Sequence, residues 1–337
     1  MLQVEDRPPE DQPASHPFLR ATREEIASIS LMKASIRLEA ERIYNVRSDP
    51  LEFEVLGSQI CDERVPISTS FDETGTVLGI AGWSGIASLY SIPSGTLISS
   101  LEGHSDRVQT IDICNNIVAT GSFDMNIGIW ENSQARWLRG HESRVNKVKF
   151  HPIGNLLLSC SYDKTWKLWD ISRNDCILTQ HGHGRGIHCL SLHPDGSILG
   201  TGDLSGTGAL WDLRTGGHIL TLRGHVKQLL CMSISPNGHT ISTGSDDNTV
   251  KIWDIRKRGL VFTIPAHSKL VSSTTATEKF IGSCSYDGTT KLWSPKDFSL
   301  LKTFSNENKV TDINLSPKGD ILVTTSFDKT FKLWKLA

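Results

Sequence analysis

The sequence predicts an all-β fold, a seven-bladed β-propeller with an N-terminal helical extension. Three observations carry this. One phrase recurs along the chain, as SFDMNIGIWE (122–131), SYDKTWKLWD (161–170), SDDNTVKIWD (245–254), SYDGTTKLWS (285–294) and SFDKTFKLWK (326–335). The aromatic residue near the end of the phrase, or its counterpart, falls at Tyr90, Trp130, Trp169, Trp211, Trp253, Trp293 and Trp334, in steps of 39–42 residues. Within each unit the apolar period is near two, as in KLWD, so the units are built of short strands. Four such strands with their turns consume about 40 residues, the length of a propeller blade.

In chain order, residues 1–21 are rich in proline and charge and are expected to be extended or disordered. From Thr22 the pattern changes. TREE is a capping box, with Thr22 at the cap and Glu25 three residues on. Ile29, Met32, Ile36, Ala40 and Ile43 then share one face at helical spacing, which predicts a helix over 22–46, with 28–30 the point at which it would break. Two roles fit it: packing on its own propeller, or docking on another protein. Next, LEFEVLG (51–57) reads as a strand. Seven units of about 41 residues fill 51–337, and the chain stops three residues after Trp334, before a fourth strand of the last unit. Residues 51–57 are therefore expected to supply that outer strand and close the ring, because an open ring would leave an unpaired sheet edge. Between strands, HPIG (151–154), HPDG (193–196), SPNG (235–238) and SPKG (316–319) place Pro second and Gly fourth, as a type I turn prefers.

Polar residues recur with the same period. Thr120, Ser159, Thr201, Thr243, Ser283 and Thr324 stand ten residues before their tryptophan, and Asp124, Asp163, Asp247, Asp287 and Asp328 stand six before it. His104, His141, His183, His225 and His267 precede it by 26–28 residues, the first four as Gly-His. Asp170, Asp212 and Asp254 follow their tryptophans directly. The period and these residues resemble the WD40 repeat family. That resemblance implies a hydrogen-bonded chain of Trp, Ser/Thr, His and Asp in each blade, so these residues, with Trp130, Trp169, Trp211, Trp253, Trp293 and Trp334, read as a structural network. The first unit (Ser84, Tyr90), the fourth (Ser205 for Asp) and the seventh (Asn306 for His) depart from the pattern. Those blades are expected to be held more by packing and neighbours.

Composition narrows the function. A net charge of −2 gives no general attraction to nucleic acid or membrane, and no apolar run approaches the length of a membrane span. The N-terminus lacks the order of a secretory signal. Seven scattered cysteines, odd in number and never in C-x-x-C spacing, read as reduced residues, mostly in strands, of a cytosolic or nuclear protein. On the inner strands Asp112, Lys147, His188 and Asp312 are isolated polar residues that form no set of nucleophile, base and orienter. His181, His183, His188 and His193 are close in sequence, but His183 belongs to the repeat and His193 to a turn. GTGDLSG (200–206) is followed by no helix and is not a phosphate loop. We expect no catalytic residue, no metal, no cofactor, no small-molecule substrate and no membrane contact.

One face of the disc is more promising. The residue before the turn Asp, or its counterpart, is Trp83, Phe123, Tyr162, Leu204, Asp246, Tyr286 or Phe327. Two or three residues after the histidine position come Arg64, Arg107, Arg144, Arg185, Lys227, Lys269 and Lys309, one base per blade. Aromatics and cations on one face suit an acidic peptide, or RNA held by phosphate contacts and stacking. Asp62, Glu63, Asp106, Glu142 and Glu307 on the same loops dilute the positive field, and the aromatics could equally serve only to cover the network.

Several stretches go beyond the generic repeat. SLHPDGSILGTGDLSGTGALWDLRTG (191–216), SPNGHTISTGSDDNTVKIWDIR (235–256), TIPAHSKLV (263–271), SFDKTFKLW (326–334), IASISLMKASIRLEAERI (26–43) and CDERVPIS (61–68) resemble the WD-repeat proteins of the U4/U6 small nuclear ribonucleoprotein, the spliceosomal pre-mRNA-processing factor 4 family. The likeness covers about residues 26–337. It implies a nuclear, non-catalytic scaffold of the U4/U6 and U4/U6.U5 tri-snRNP in pre-mRNA splicing. Its partners would be spliceosomal snRNP proteins, above all the family's partner that grips the U4/U6 duplex, and U4/U6 snRNA directly or indirectly. Family members usually carry a longer N-terminal region, with a short splicing-factor motif and a stretch that docks a cyclophilin; this sequence starts soon before the helix, so those contacts are not among the expectations. Ser205 also departs from the family in the fourth blade. The alternative is a WD40 adaptor, or a substrate receptor of a ubiquitin ligase or signalling complex, although no F-box-like recruiter is evident in 1–50.

Overall fold

Strands of five to eight residues, each ended by a turn, fold every repeat back on itself as a four-stranded antiparallel sheet. The structure, a computed structural model, describes residues 53–132 and 134–336. The segment 1–21, the expected helix 22–46 with Ile29, Met32, Ile36 and Ile43, and residues 51 and 52 lie outside the described residues. Among the described residues there are seven such sheets. The inner strands, in blades one to seven, are Pro66–Phe71, Val108–Cys114, Val145–Phe150, Ile187–Leu192, Leu229–Ile234, Val271–Ala276 and Val310–Leu315.

Blades pack face to face, so their middle strands are buried on both sides. Leu156–Ser161 is buried at every residue, which is why LLLSCS is apolar or small throughout rather than alternating. The core is divided into seven clusters, one at each seam. Between blades two and three, for example, Ile127, Ile129 and Leu138 meet Val145, Val148 and Trp169. At the closing seam Tyr90 of blade one packs on Phe331 of blade seven with ring centroids 5.0 Å apart. A tyrosine there does the packing that tryptophan does elsewhere, and its hydroxyl donates to the Cys61 carbonyl at 2.9 Å.

The ring closes as the repeat count requires, with one change of extent. The outer strand of blade seven is Phe53–Ile60, antiparallel to Thr330–Leu336. It runs three residues past the expected end at Gly57. A register shift between Val55 and Gly57 lets pairing continue through Ser58, Gln59 and Ile60. The seam is also locked near the axis. Asp312 accepts the Thr69 N–H (2.6 Å) and hydroxyl (2.9 Å), and the Asn314 amide donates to the Thr69 carbonyl at 3.1 Å.

The expected turns form. The glycine N–H of HPIG, HPDG, SPNG and SPKG donates to the carbonyl three residues earlier at 2.8–2.9 Å. Histidines tie these turns from blade to blade: His151 Nε2 donates to the Gly196 carbonyl and His193 Nε2 to the Gly238 carbonyl, at 3.0 and 2.9 Å. Gly196 has φ +77°, and a Cβ there would lie 2.3 Å from His151 Nε2, so the close approach itself requires glycine. All seven cysteines are free, and burial raises the thiol pKa of Cys160 and Cys231 to about 12.

Candidate interaction face

The loops of one face are fixed by the polar network. In blade three Trp169 Nε1 donates to Ser159 Oγ at 2.8 Å, Ser159 bonds His141 Nε2 at 2.7 Å, and His141 Nδ1 bonds Asp163 at 2.6 Å. Asp163 also accepts the N–H of Glu142, which pins the connecting loop. The same chain runs through Trp130, Thr120, His104 and Asp124; Trp253, Thr243, His225 and Asp247; and Trp293, Ser283, His267 and Asp287, with every link between 2.7 and 3.1 Å.

The three departing blades differ from one another, and two of them add polar bonds to the packing and neighbours expected to hold them. In blade four, Trp211, Thr201 and His183 are linked at 2.7 Å, and His183 Nδ1 lies 3.2 Å from Asp203. Ser161-Tyr162-Asp163 of blade three has become Asp203-Leu204-Ser205: serine and aspartate have exchanged places, so the acid reaches histidine from two residues earlier. In blade one Asp62 stands at the histidine position and accepts the Ser84 hydroxyl. In blade seven the chain is broken. Trp334 still bonds Thr324 at 3.2 Å, but Asp328 accepts only from Thr330, and the buried amide nitrogen and oxygen of Asn306 have no partner.

These loops present the aromatic positions around the channel mouth. Each donates its backbone N–H, at 2.9–3.2 Å, to the residue just before an inner strand: Trp83 to Val65, Phe123 to Arg107, Tyr162 to Arg144, Leu204 to Gly186, Asp246 to Gln228, Tyr286 to Leu270 and Phe327 to Lys309. The seven bases therefore do not form one ring. Arg107, Arg144 and Lys309 occupy that position, while Arg64, Arg185, Lys227 and Lys269 stand one residue earlier. In an extended chain a one-residue shift turns a side chain to the opposite side. Only the first group lies on the aromatics. The Arg107 guanidinium is 4.6 Å from the Trp83 ring, that of Arg144 3.5 Å from Tyr162 and 4.8 Å from Phe123, and Lys309 Nζ 5.5 and 5.4 Å from Tyr286 and Phe327. Edge contacts link Tyr286 to Phe327 (5.3 Å) and Phe327 to Trp83 (6.0 Å).

The outcome is an arc through blades six, seven, one, two and three, with blades four and five outside it. There Leu204 replaces an aromatic, and Lys227 is engaged with Asp246, 3.5 Å away. Arg64 instead lines a cleft with Asp62, Glu63 and Trp83, and Arg185 and Lys269 are exposed. The sequence carried part of the signal: the arc bases directly precede the valine that begins an inner strand (RV, RV, KV), which Arg185, Lys227 and Lys269 do not, but Arg64 also precedes a valine, Val65, and is set apart only because its strand begins one residue later at Pro66.

The polar residues of the channel wall brace blades. Asp112 accepts from Ser70 of blade one (2.8 Å) and from Lys149 Nζ (2.6 Å) and the Phe150 N–H (2.8 Å) of blade three. Lys147 Nζ lies 3.3 Å from Ser68 Oγ. His188 Nδ1 donates to the Leu230 carbonyl at 2.9 Å, and burial, with Arg144 and Lys147 nearby, holds its pKa below the ordinary value. Among the described residues no three His, Cys, Asp or Glu side chains gather as a metal would need, and no helix is long and apolar enough to cross a membrane.

Comparison with known proteins fits this geometry. The family described as WD domain, G-beta repeat matches residues 95–131, 132–170, 174–212, 216–254, 258–294 and 298–335. An uncharacterized WD repeat-containing protein of Schizosaccharomyces pombe is 37% identical over 175 residues, 44% of this chain and 38% of that protein. The U4/U6 small nuclear ribonucleoprotein PRP4 of Saccharomyces cerevisiae is 30% identical over 159 residues, 44% of this chain and 33% of its own. Pre-mRNA-processing factor 19 homolog 2 of Arabidopsis thaliana is 31% identical over 109 residues, 30% of this chain and 21% of its own. In each case less than two fifths of the relative's length is matched.

Proposed function

The chain belongs to the WD40 family of WD domain, G-beta repeat proteins, and from that premise we propose that it is a non-catalytic scaffold of the U4/U6 and U4/U6.U5 tri-snRNP in pre-mRNA splicing. A WD40 propeller is typically a non-catalytic interaction scaffold. Support for the splicing role comes from the likeness to PRP4 and to pre-mRNA-processing factor 19 homolog 2, together with the stretches quoted above that go beyond the generic repeat. A nuclear location follows from the same reading.

The observation that carries the mechanism is the arc of Trp83, Phe123, Tyr162, Tyr286 and Phe327 with Arg107, Arg144 and Lys309. Aromatic faces supply area at little entropic cost, and a cation against such a face keeps its outer N–H groups for a partner's carboxylate. A protein segment bearing acidic residues suits this arc better than RNA does. The arc offers only three cations, already shared with rings, and Asp62, Glu63, Asp106, Glu142 and Glu307 on the same loops offset them, so it matches a segment with a few carboxylates better than a backbone charged at every nucleotide. Contact with U4/U6 snRNA would then run through partner proteins.

Affinity capture of the tagged full chain from nuclear extract tests the reading. Recovery of U4 and U6 RNAs with snRNP proteins is the expected result, and recovery of a cullin complex instead would establish the adaptor alternative. The joint change R107E, R144E and K309E should lower recovery at least tenfold. The joint change R185E and K269E should not, because those side chains lie outside the arc. Equal loss from both sets would show that general charge, not the arc, does the binding.

A further inference from the structure

The outer strands of the blades are not alike. Those of blades five, six, seven and one turn large apolar side chains to solvent, among them Val261, Phe262, Leu300, Leu301, Val55 and Leu97, each at least 40% exposed. Blades two and three expose no large apolar side chain on their outer strands to that degree, and blade four exposes one. An apolar band confined to contiguous blades is a surface that something covers.

A second observation lies in the same sector. Phe298, two residues before the outer strand of blade six, lies in the left-handed region, at φ +57°. The corresponding turn in blades one, three and four has Gly95, Asn174 and Gly216, residues that adopt it readily. A phenylalanine there is held in a conformation that bulky side chains rarely take. Its ring stacks on Phe262 of blade five, with centroids 5.4 Å apart and planes 20° apart, so it carries the apolar band across the seam.

The covering segment is indicated by where the chain enters. Blade seven's outer strand starts at Phe53, and Phe53 packs toward blade six, 5.4 Å from Phe304 and 6.3 Å from Phe280. The described chain thus joins the rim at blade seven, within the apolar sector. Residues 22–46 carry one apolar stripe at helical spacing, about 37 Å long if helical. The six residues from 47 to 52 reach up to about 20 Å.

We propose that the apolar rim of blades five to seven is the seat of the chain's own residues 22–46, which lie against it through Ile29, Met32, Ile36 and Ile43. Occupancy by its own N-terminal segment leaves the channel-mouth arc free for a partner, and the proposal stands independently of the splicing assignment.

The test uses the full chain. A photo-crosslinking residue at position 36 should join, within a monomer, to peptides spanning 259–264 and 298–305. In the M32E/I36E variant, amide exchange in Gly259–Ile264 and Leu300–Ser305 should quicken at least about tenfold while the inner strands stay unchanged. V261E/L301E, altering only exposed rim residues, should abolish the same cross-links. Cross-links between two chains in a dimer would overturn the proposal in favour of a second copy. Cross-links elsewhere on the disc, none at all in a folded monomer, or rim exchange that ignores M32E/I36E would overturn it outright.

Discussion

A carboxylate can only accept, and this fixes the state of the groups in the blade network. Asp247 accepts from His225 Nδ1, so that nitrogen carries the proton. In a neutral imidazole Nε2 then has none and accepts from Thr243, whose oxygen accepts in turn from the Trp253 indole. Burial, which holds the His225 pKa below its ordinary value, favours the same neutral imidazole. Thr243→Val keeps the shape but strands an indole N–H and an imidazole nitrogen. It should cost about 1–3 kcal/mol in urea denaturation, and Thr243→Ser much less. Blade seven offers the converse: Asn306→His would supply the missing link between Thr324 and Asp328 and should stabilise by about 1 kcal/mol, with the midpoint moving up at constant slope. At this scale the sequence was legible where spacing alone decides, as in the residues ten and six before each tryptophan. It was not legible at Asp203, because a serine and an aspartate that trade places preserve the composition of the loop while breaking the spacing.

At the scale of elements, the borrowed outer strand was legible from the repeat count, since the seventh unit stops before its fourth strand. Its extent was not. The added residues Ser58, Gln59 and Ile60 are held by backbone pairing, and the last of them is 76% exposed, so no apolar alternation marks them. The side chain that anchors this strand is Phe53, edge-on to Phe304. Phe53→Ala should destabilise the closing blade by about 1.5–3 kcal/mol. Hydrogen exchange should show the loss first in Thr330–Leu336, its pairing partner. Loss spread evenly over all seven blades would instead show that closure is carried by the Asp312–Thr69 lock at the axis. The base positions teach a related lesson. One base per blade was legible, but which of them meets an aromatic depends on a single residue of register, which composition does not record.

For the whole molecule the same networks, repeated around the ring, set how stability depends on pH. Burial lowers the pKa of His188, His225 and His267, with Asp247 and Asp287 offsetting only part of the effect at the last two. An unfolded chain has ordinary histidines. Below about pH 6.5 the unfolded state therefore binds protons that the folded state refuses, and stability must fall as pH falls. The aspartates act lower down. Burial alone would raise Asp287, but bonds from Thr289 and Ser268 and the nearby His267 outweigh it and hold its pKa to about 2. Asp163 is likewise held well below the usual carboxylate range by His141 and Thr165, against the effect of its burial. A depressed carboxylate contributes stability above its unfolded pKa near 4 and loses it as pH drops toward the folded value. Two stages of acid loss are therefore expected in thermal melts: a shallow decline between pH 7 and 5 from the histidines, then a steeper one below about pH 4 from the aspartates. Replacing His188 by Gln should flatten part of the first stage and leave the second. A melting temperature unchanged between pH 7 and 5 in the unaltered protein would mean that these imidazoles take up protons in the folded state, against the single-proton histidines of the blade networks.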